Sequence, residues 1–395
     1  MNFLEVLFFK VIKGIFYEEK TIYIANLFIS DNMKSSAVAH PNIALIKYWG
    51  RALDQPSYLN IPSNDTVSMT KESIYNSKTG IDLITHTTIE FSESFIEDTG
   101  FLKTKELLVP FDNVQMNRVL KVVNALREKA NITLKFKMMS ENKFPTAAGL
   151  ASSASAFAAL ATCTSKALNL NLDRTELSKY ARLGSGSAAR SIHGGFVYWN
   201  RGYSHDTSYA EQICECNEFD IAAVIAVINR GKKDVTSDVG HDSAHSSVFN
   251  QIKIQESQKK SVEIRKAIEN NDFTTVGVIT EKNCLYMHSI MMTSNPPLFY
   301  WNPDTLKVIK SVVNKRNQYY QTYKMVKEGV KQKEKEGIEC YFTVDAGPNI
   351  HCLCRTEDID AVQNFIQNEI GIQESDIVKV KQAEFGSKVI EEHLF

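Results

Sequence analysis

The sequence predicts an α+β fold in two domains, and three observations lead there. The chain runs to 395 residues, room for two domains at roughly 100–200 residues each. Alternating, β-branched stretches are interleaved with stretches whose apolar residues recur at helical spacing. The C-terminal part reads strand, turn, strand, helix, as expected of helices packed on antiparallel strands. The boundaries set by this reading are an N-terminal segment at 1–32, a first domain over 33–215 and a second over 216–395.

In chain order, residues 1–32 are rich in Phe, Ile and Leu, but Glu5, Lys10 and Lys13 interrupt the apolar runs. Nothing there approaches the ~18–20 apolar residues of a membrane span, and no small-residue cleavage site follows an apolar core. The segment reads as an extension ahead of Met33 or as a start assigned too early. Residues 36–49 read as a buried strand and 80–94, alternating and rich in Thr and Ile, as another. Val114, Val119, Leu120, Val123 and Leu126 put a helix over 113–130, with a strand at 132–139. A loop at 142–150 leads into an Ala/Ser/Leu helix at 151–168, and a short helix follows at 177–183. A Gly/Ser loop at 184–195 enters a strand at 196–199. The almost wholly apolar run 220–228 must be a buried strand. Helices are expected at 261–269, 273–286 and 304–317, and a solvated helix or loop at the Lys/Glu-rich 323–337. A strand at 340–345, the turn Ala346-Gly347-Pro348-Asn349, a strand at 352–355 and a helix at 358–370 complete the chain.

Composition narrows the function classes. Apolar residues are 43% and charged residues 23%, which excludes wholesale disorder and a collagen-like or disulfide-scaffold class. Lys and Arg number 45 against 46 Asp and Glu, so no global field draws the chain to nucleic acid or to an anionic membrane. Local basic clusters can still hold small phosphates. Seven cysteines, an odd count with two Cys-x-Cys pairs, read as reduced thiols of a cytoplasmic protein and lack zinc-ligand spacing.

Four segments could carry chemistry. In FPTAAGLASSASA, the run Ala148, Gly149, Leu150 and Ala151, small but for the leucine, precedes a helix start, with hydroxyls on Ser152, Ser153 and Ser155. Backbone N–H groups and the helix dipole could cradle nucleotide phosphates there, and a serine, Ser153 among them, could reach Mg²⁺. It is not a Walker loop, and a close-packed Ala/Ser helix explains the same composition. In GSGSAARSIHGG, Arg190 could grip a carboxylate or phosphate through two parallel hydrogen bonds, while His193 reads as structural. In NIALIKYWGR, Lys47 ends an apolar strand, Tyr48 and Trp49 could wall a pocket, and Arg51 adds a cation. In TVDAGPN, Asp345 ends a strand at a tight turn, a place for a cleft-facing carboxylate or for a turn cap. His241 and His245, four apart, suit a helical metal pair but have no third ligand in view.

Together, these four segments and their order resemble the mevalonate diphosphate decarboxylases of the GHMP superfamily. KDVTSDVGH and MHSIMMTSNPPLFYW add to the resemblance, which runs from about Ala37 to the C-terminus. It implies a deep cleft between an N-terminal α+β domain with a phosphate loop and a C-terminal ferredoxin-like α/β sandwich, in a homodimer. It implies a lyase of isoprenoid precursor synthesis that removes CO₂ from a phosphorylated mevalonate. In it Asp345 would face the 3-hydroxyl beside Lys47, and Arg190 would hold the substrate carboxylate. Ser187, Tyr48 and Arg51 would line the phosphorylated arm, and 144–155 would hold ATP phosphates and help place Mg²⁺.

Departures from the family pattern, among them a longer connection at 318–338 and an opening AHPNIALIKYWG closer to prokaryotic and archaeal members, leave the substrate open. Arg51 stands where the family usually has Lys, and Asp238 where it often has Arg or Thr near the distal phosphate. Mevalonate 5-diphosphate with ATP is the usual family reaction. Mevalonate 5-phosphate, or the 3,5-bisphosphate with no ATP requirement, belongs to archaeal relatives. A GHMP small-molecule kinase and a non-catalytic ligand sensor are more remote alternatives.

Overall fold

In the computed structural model, residues 33–74, 80–104, 107–144, 152–229, 231, 235–328 and 336–395 are described. The expected extension at 1–32 and most of the expected phosphate loop lie outside them.

The single strand expected over 36–49 is two, β1 (Lys34–Ala39) and β2 (Asn42–Ile46). Pro41 stands between them, and a residue without an N–H cannot continue a ladder. β3 (Thr66–Ser73) was not expected, because its buried face is shared with Thr, Ser and Lys. Then come β4 (Thr85–Ser92), β5 (Thr99–Lys103) and β6 (Leu108–Pro110). Helix α1 (Asn113–Ala130) has the expected bounds: Asp112 and Gln115 form a reciprocal capping box, and Asn131 closes the far end at φ 54°. β7 (Lys135–Asn142) precedes α2 (Ser152–Ala167), which is buried nearly all round, as small side chains permit. α3 (Arg174–Gly184), a 3₁₀ turn at Gly186–Ser191, β8 (Phe196–Trp199) and β9 (Ala210–Cys214) complete the first half.

The second half opens with β10 (Ala222–Ala226) and the short α4 (Ser237–Ser243). α5 (Asn250–Glu269), α6 (Phe273–Thr293) and α7 (Pro303–Lys327) all extend beyond the expected bounds. The early part of α5 buries Asn250, Lys253, Ser257 and Ser261 along one stripe, a polar face that apolar periodicity does not detect. β11 (Tyr341–Val344), β12 (Ile350–Cys354), α8 (Ile359–Asn364) with its π-turn to Ile370, β13 (Ile377–Gln382) and β14 (Ser387–Ile390) follow.

Two sheets organise these elements. The first has six strands in the order β14-β1-β4-β7-β5-β6, antiparallel except for β5 beside β7. α1, α2 and α3 cover it over a core that includes Ile89, Val123, Phe136 and Leu160. The second runs β11-β12-β10-β13-β3-β8-β9, with β2 also paired to β3. One of its faces packs on α5 and α6 around Ile225, Phe273 and Tyr341, the other on α7 and α8 around Val224, Val308 and Phe342. Residue 215 separates β9 from β10, yet both belong to this second sheet.

Candidate active site

The segments singled out in the sequence meet at one pocket between the two halves. Its walls include Lys47 and Tyr48 after β2, Arg118 of α1, Ser153 at the start of α2, Arg190, Asp238 and His241 of α4, and Asp345 after β11.

Lys47 and Asp345 meet in its wall. The β2 strand is fully buried, and the lysine that follows it is buried too. Its Nζ lies 2.6 Å from Asp345 Oδ1, and 30 % of the Asp345 side chain remains exposed toward the pocket. The Lys47 N–H donates to Asn283 Oδ1 of α6 at 2.8 Å, and Asn283 Nδ2 donates to Ser257 Oγ of α5, so two helices fix the strand end. Burial alone would raise the Asp345 carboxyl. The Lys47 ammonium reverses that and holds it at about 2.

Arg190 lines the same pocket and is almost fully buried. Its Nη1 donates to Thr66 Oγ1 at 2.8 Å, its Nη2 to Asn42 Oδ1 at 3.4 Å, and its guanidinium sits 5.4 Å from the Trp199 ring centroid. Its Nε has no hydrogen-bond partner among the described residues. Burial lowers it to about 10, so it stays charged at neutral pH. A buried cation with an unspent donor is what an anionic ligand completes.

Tyr48 packs edge-on against Trp199 (5.0 Å between centroids) and lies 4.1 Å from the His241 ring. Burial raises its hydroxyl to about 12, leaving a neutral donor. A Cβ on Gly186 would come 2.5 Å from the Tyr48 ring, so the small residue of the Gly/Ser turn lets the ring approach. Ser153 Oγ, Ser185 Oγ and Ser187 Oγ make a chain of hydroxyls at 3.3 and 3.2 Å beside the start of α2. Neutral O–H donors at a helix N-terminus suit phosphate oxygens, and the same hard oxygens suit Mg²⁺.

Three expected site residues are placed differently. Ser155 is fully buried, its hydroxyl 2.6 Å from Thr85 Oγ1 and 3.2 Å from the Ser152 carbonyl, and so is spent inside the fold. Ser152 is not among the pocket walls. Arg51 stands one step behind them, donating to Asn60 Oδ1 (3.0 Å), Asp238 Oδ1 (2.8 Å) and Asp242 Oδ1 (2.6 Å). Ala148, Gly149, Leu150 and Ala151 lie outside the described residues.

The pocket also contains Arg118, which the motifs did not suggest, and His241, the last residue of the KDVTSDVGH segment. Arg118 donates from Nε to the Gly184 carbonyl at 2.9 Å and lies over the Phe157 ring. The sequence signal was available: it stands one turn before Val122, in an otherwise apolar helical row. His241 stacks between Tyr48 and Trp49, and its Nδ1 accepts from the Gly50 N–H at 3.1 Å. Burial pushes it well below its ordinary range and keeps it neutral. His245 lies instead beside Asn250.

Residues 39–210 match the model for the diphosphomevalonate decarboxylase-like N-terminal domain, and 223–393 match the mevalonate 5-diphosphate decarboxylase C-terminal domain. A diphosphomevalonate decarboxylase of Candida albicans is 35% identical over 353 residues, covering 86% of this chain and 89% of the relative. The solved mevalonate diphosphate decarboxylase from Enterococcus faecalis is 34% identical at a TM-score of 0.76, covering 91% of this chain and 100% of that one. MDDEF in complex with MVAPP, AMPPCP and magnesium is similar at 34% identity, a TM-score of 0.75 and the same coverage.

Proposed function

The chain belongs to the diphosphomevalonate decarboxylase family, on the two-domain α+β fold of the GHMP superfamily, and from that premise we propose how its residues perform the family's carboxy-lyase reaction. The substrate is mevalonate 5-diphosphate and the co-substrate ATP with Mg²⁺, the ligand set of the relatives. Of the alternatives the sequence left open, this one fits a pocket with a hydroxyl chain at a helix start and a separate buried guanidinium.

A tertiary alkoxide is a poor leaving group, whereas its phosphate ester leaves well. The 3-hydroxyl oxygen attacks the ATP γ-phosphorus, ADP leaves with the electron pair of the broken P–O bond, and the hydroxyl proton passes by way of the Asp345 carboxylate to solvent. The C3–O bond then breaks with its electron pair on phosphate. The electrons of the bond to the carboxylate become the new C=C bond as CO₂ leaves. Asp345, held at about 2, is a weak base. Phosphoryl transfer through a loose transition state asks little of a base. Asp345 acts chiefly as a fixed negative charge beside C3, where positive charge builds as phosphate departs. Lys47 keeps it ionised and in place. Arg190 holds the carboxylate so that the two breaking bonds align, a positioning effect. Ser153, Ser185 and Ser187 would hold phosphate oxygens. Mg²⁺, when bound near Ser153, supplies charge neutralisation of the ATP phosphates.

The observation that carries this reading is the Lys47–Asp345 pair and the buried Arg190 lining one pocket. It is tested by CO₂ release from mevalonate 5-diphosphate, 5-phosphate and 3,5-bisphosphate, each with and without ATP–Mg²⁺. Release from the diphosphate only with ATP is expected, and Asp345→Asn lowers it by about 10³-fold or more. Release from the bisphosphate without ATP would overturn the reading. The proposal also places a homodimer in the cytoplasm, and a monomer mass by sedimentation would remove the dimer from it. No helix among the described residues is long and apolar enough to cross a membrane.

A further inference from the structure

Arg118 in the pocket wall and Arg51 one step behind it already have an anion. Asp238, on the first turn of α4, places Oδ1 2.8 Å from Arg51 Nη2 and Oδ2 3.8 Å from Arg118 Nη1. Asp242, one turn on, takes Arg51 Nη1 at 2.6 Å. Two cations therefore face two carboxylates where the phosphorylated arm is proposed to lie.

The two sides of this cluster are not held equally. Arg51 and Arg118 side chains are only 11 % and 28 % exposed, and each is pinned by a further bond, to Asn60 Oδ1 and to the Gly184 carbonyl. The carboxylates of Asp238 and Asp242 are 52 % and 69 % exposed. An exposed carboxylate returns to water at little cost, whereas a half-buried guanidinium must keep an acceptor. The donors are thus fixed and the acceptor is exchangeable.

We infer that Asp238 is a substrate-displaced internal anion: it occupies Arg51 and Arg118 until a phosphate of the substrate takes them over, and so sets how strongly the enzyme distinguishes a 5-diphosphate from a 5-phosphate. A terminal phosphate reaching this pair must compete with the Asp238 carboxylate and stays close to its charge. A shorter, single phosphate meets less of that charge. The carboxylate therefore lowers affinity for the longer, more highly charged arm more than for the shorter one. This inference rests on the reading of the pocket given above.

The experiment is titration calorimetry of mevalonate 5-diphosphate and of mevalonate 5-phosphate, without ATP, on the full chain and on Asp238→Asn. Asn keeps size and hydrogen bonding and removes the charge. The expected result is a diphosphate Kd lowered by roughly two- to fivefold, with a smaller change for the monophosphate and a steeper salt dependence of diphosphate binding. Equal changes for both ligands, no change, or weaker diphosphate binding would overturn the inference; the last would make Asp238 a support for Arg51. Asp238→Thr repeats the test with a neutral, shorter side chain. Failure of the wider reading shows elsewhere, as absent CO₂ release from the diphosphate with ATP in the unsubstituted enzyme.

Discussion

At the scale of residues, the site depends on a buried layer that no motif points to. Lys71 of β3 and His351 of β12 meet behind Asp345, Nζ to Nε2 at 2.5 Å, and both are essentially inaccessible. Two basic groups in such contact cannot both be charged at modest cost. Burial lowers Lys71 from its ordinary value to about 7 and pushes His351 well below its own. A lysine with a depressed folded value binds fewer protons native than unfolded between about pH 7 and its unfolded value of ~10.4. Stability from this group therefore rises with pH across that window, and the gain is absent below it. Lys253, also lowered to about 7, adds to the same slope. Lys71→Met is expected to flatten, not abolish, the rise of unfolding free energy between about pH 7.5 and 9.5, read from denaturant titrations. An unchanged slope would mean that Lys71 stays protonated in the fold.

At the scale of elements, α4 is the part of the site set by packing. Gly240 rests on Trp49: a Cβ there would come 2.3 Å from the indole, whose ring is buried. Ala in a helix gains about 1 kcal/mol over Gly, but overpacking against a fixed ring costs about 1–3 kcal/mol. Gly240→Ala is therefore expected to lower thermal stability and to raise KM for the diphosphate, because Asp238 and His241 move with the helix. A stabilised variant would show that α4 is free to shift off Trp49. What the sequence made legible follows the same division. α1, α2 and β8 could be read because apolar period or small-residue composition and burial coincide there. Lys47, Arg190 and Asp345 could be read because charge falls within apolar or Gly-rich surroundings. β3 and the first half of α5 could not, since their buried faces carry Lys71, Thr70, Lys253 and Ser257, stabilised by partners far away in sequence. Arg51 was expected near the phosphorylated arm; its pairing depends on two aspartates 187 and 191 residues later in the chain, which no local pattern shows.

At the scale of the molecule, the chain is not laid out as two consecutive blocks. β2, β3, β8 and β9 share a sheet with β10 to β13, and the last strand, β14, returns to pair with the first, Ser36 to Ala39 against Ile390 to Ser387. That return is tied down by side chains: Thr162 Oγ1 to Ser387 Oγ at 2.8 Å from α2, Ser36 Oγ to His393 Nδ1 at 2.7 Å, and the Leu394 N–H to Thr88 Oγ1 at 2.9 Å. α2 packs directly on β1, β4 and β14, so the helix that carries Ser153 into the pocket stands on a strand from the far end of the sequence. Ending the chain after Gly386 would turn β1 from an inner strand into an edge and remove part of the support under α2. An unpaired apolar edge invites association with other chains. The truncated protein is expected to melt at a lower temperature, to aggregate on heating, and to lose ATP-dependent turnover, although none of the removed residues lines the pocket. The intact chain should unfold in one calorimetric transition, because the shared sheet couples both halves. Two separated transitions in the intact chain, or a truncated protein with unaltered melting, would show that the sheets do not transmit stability across the cleft.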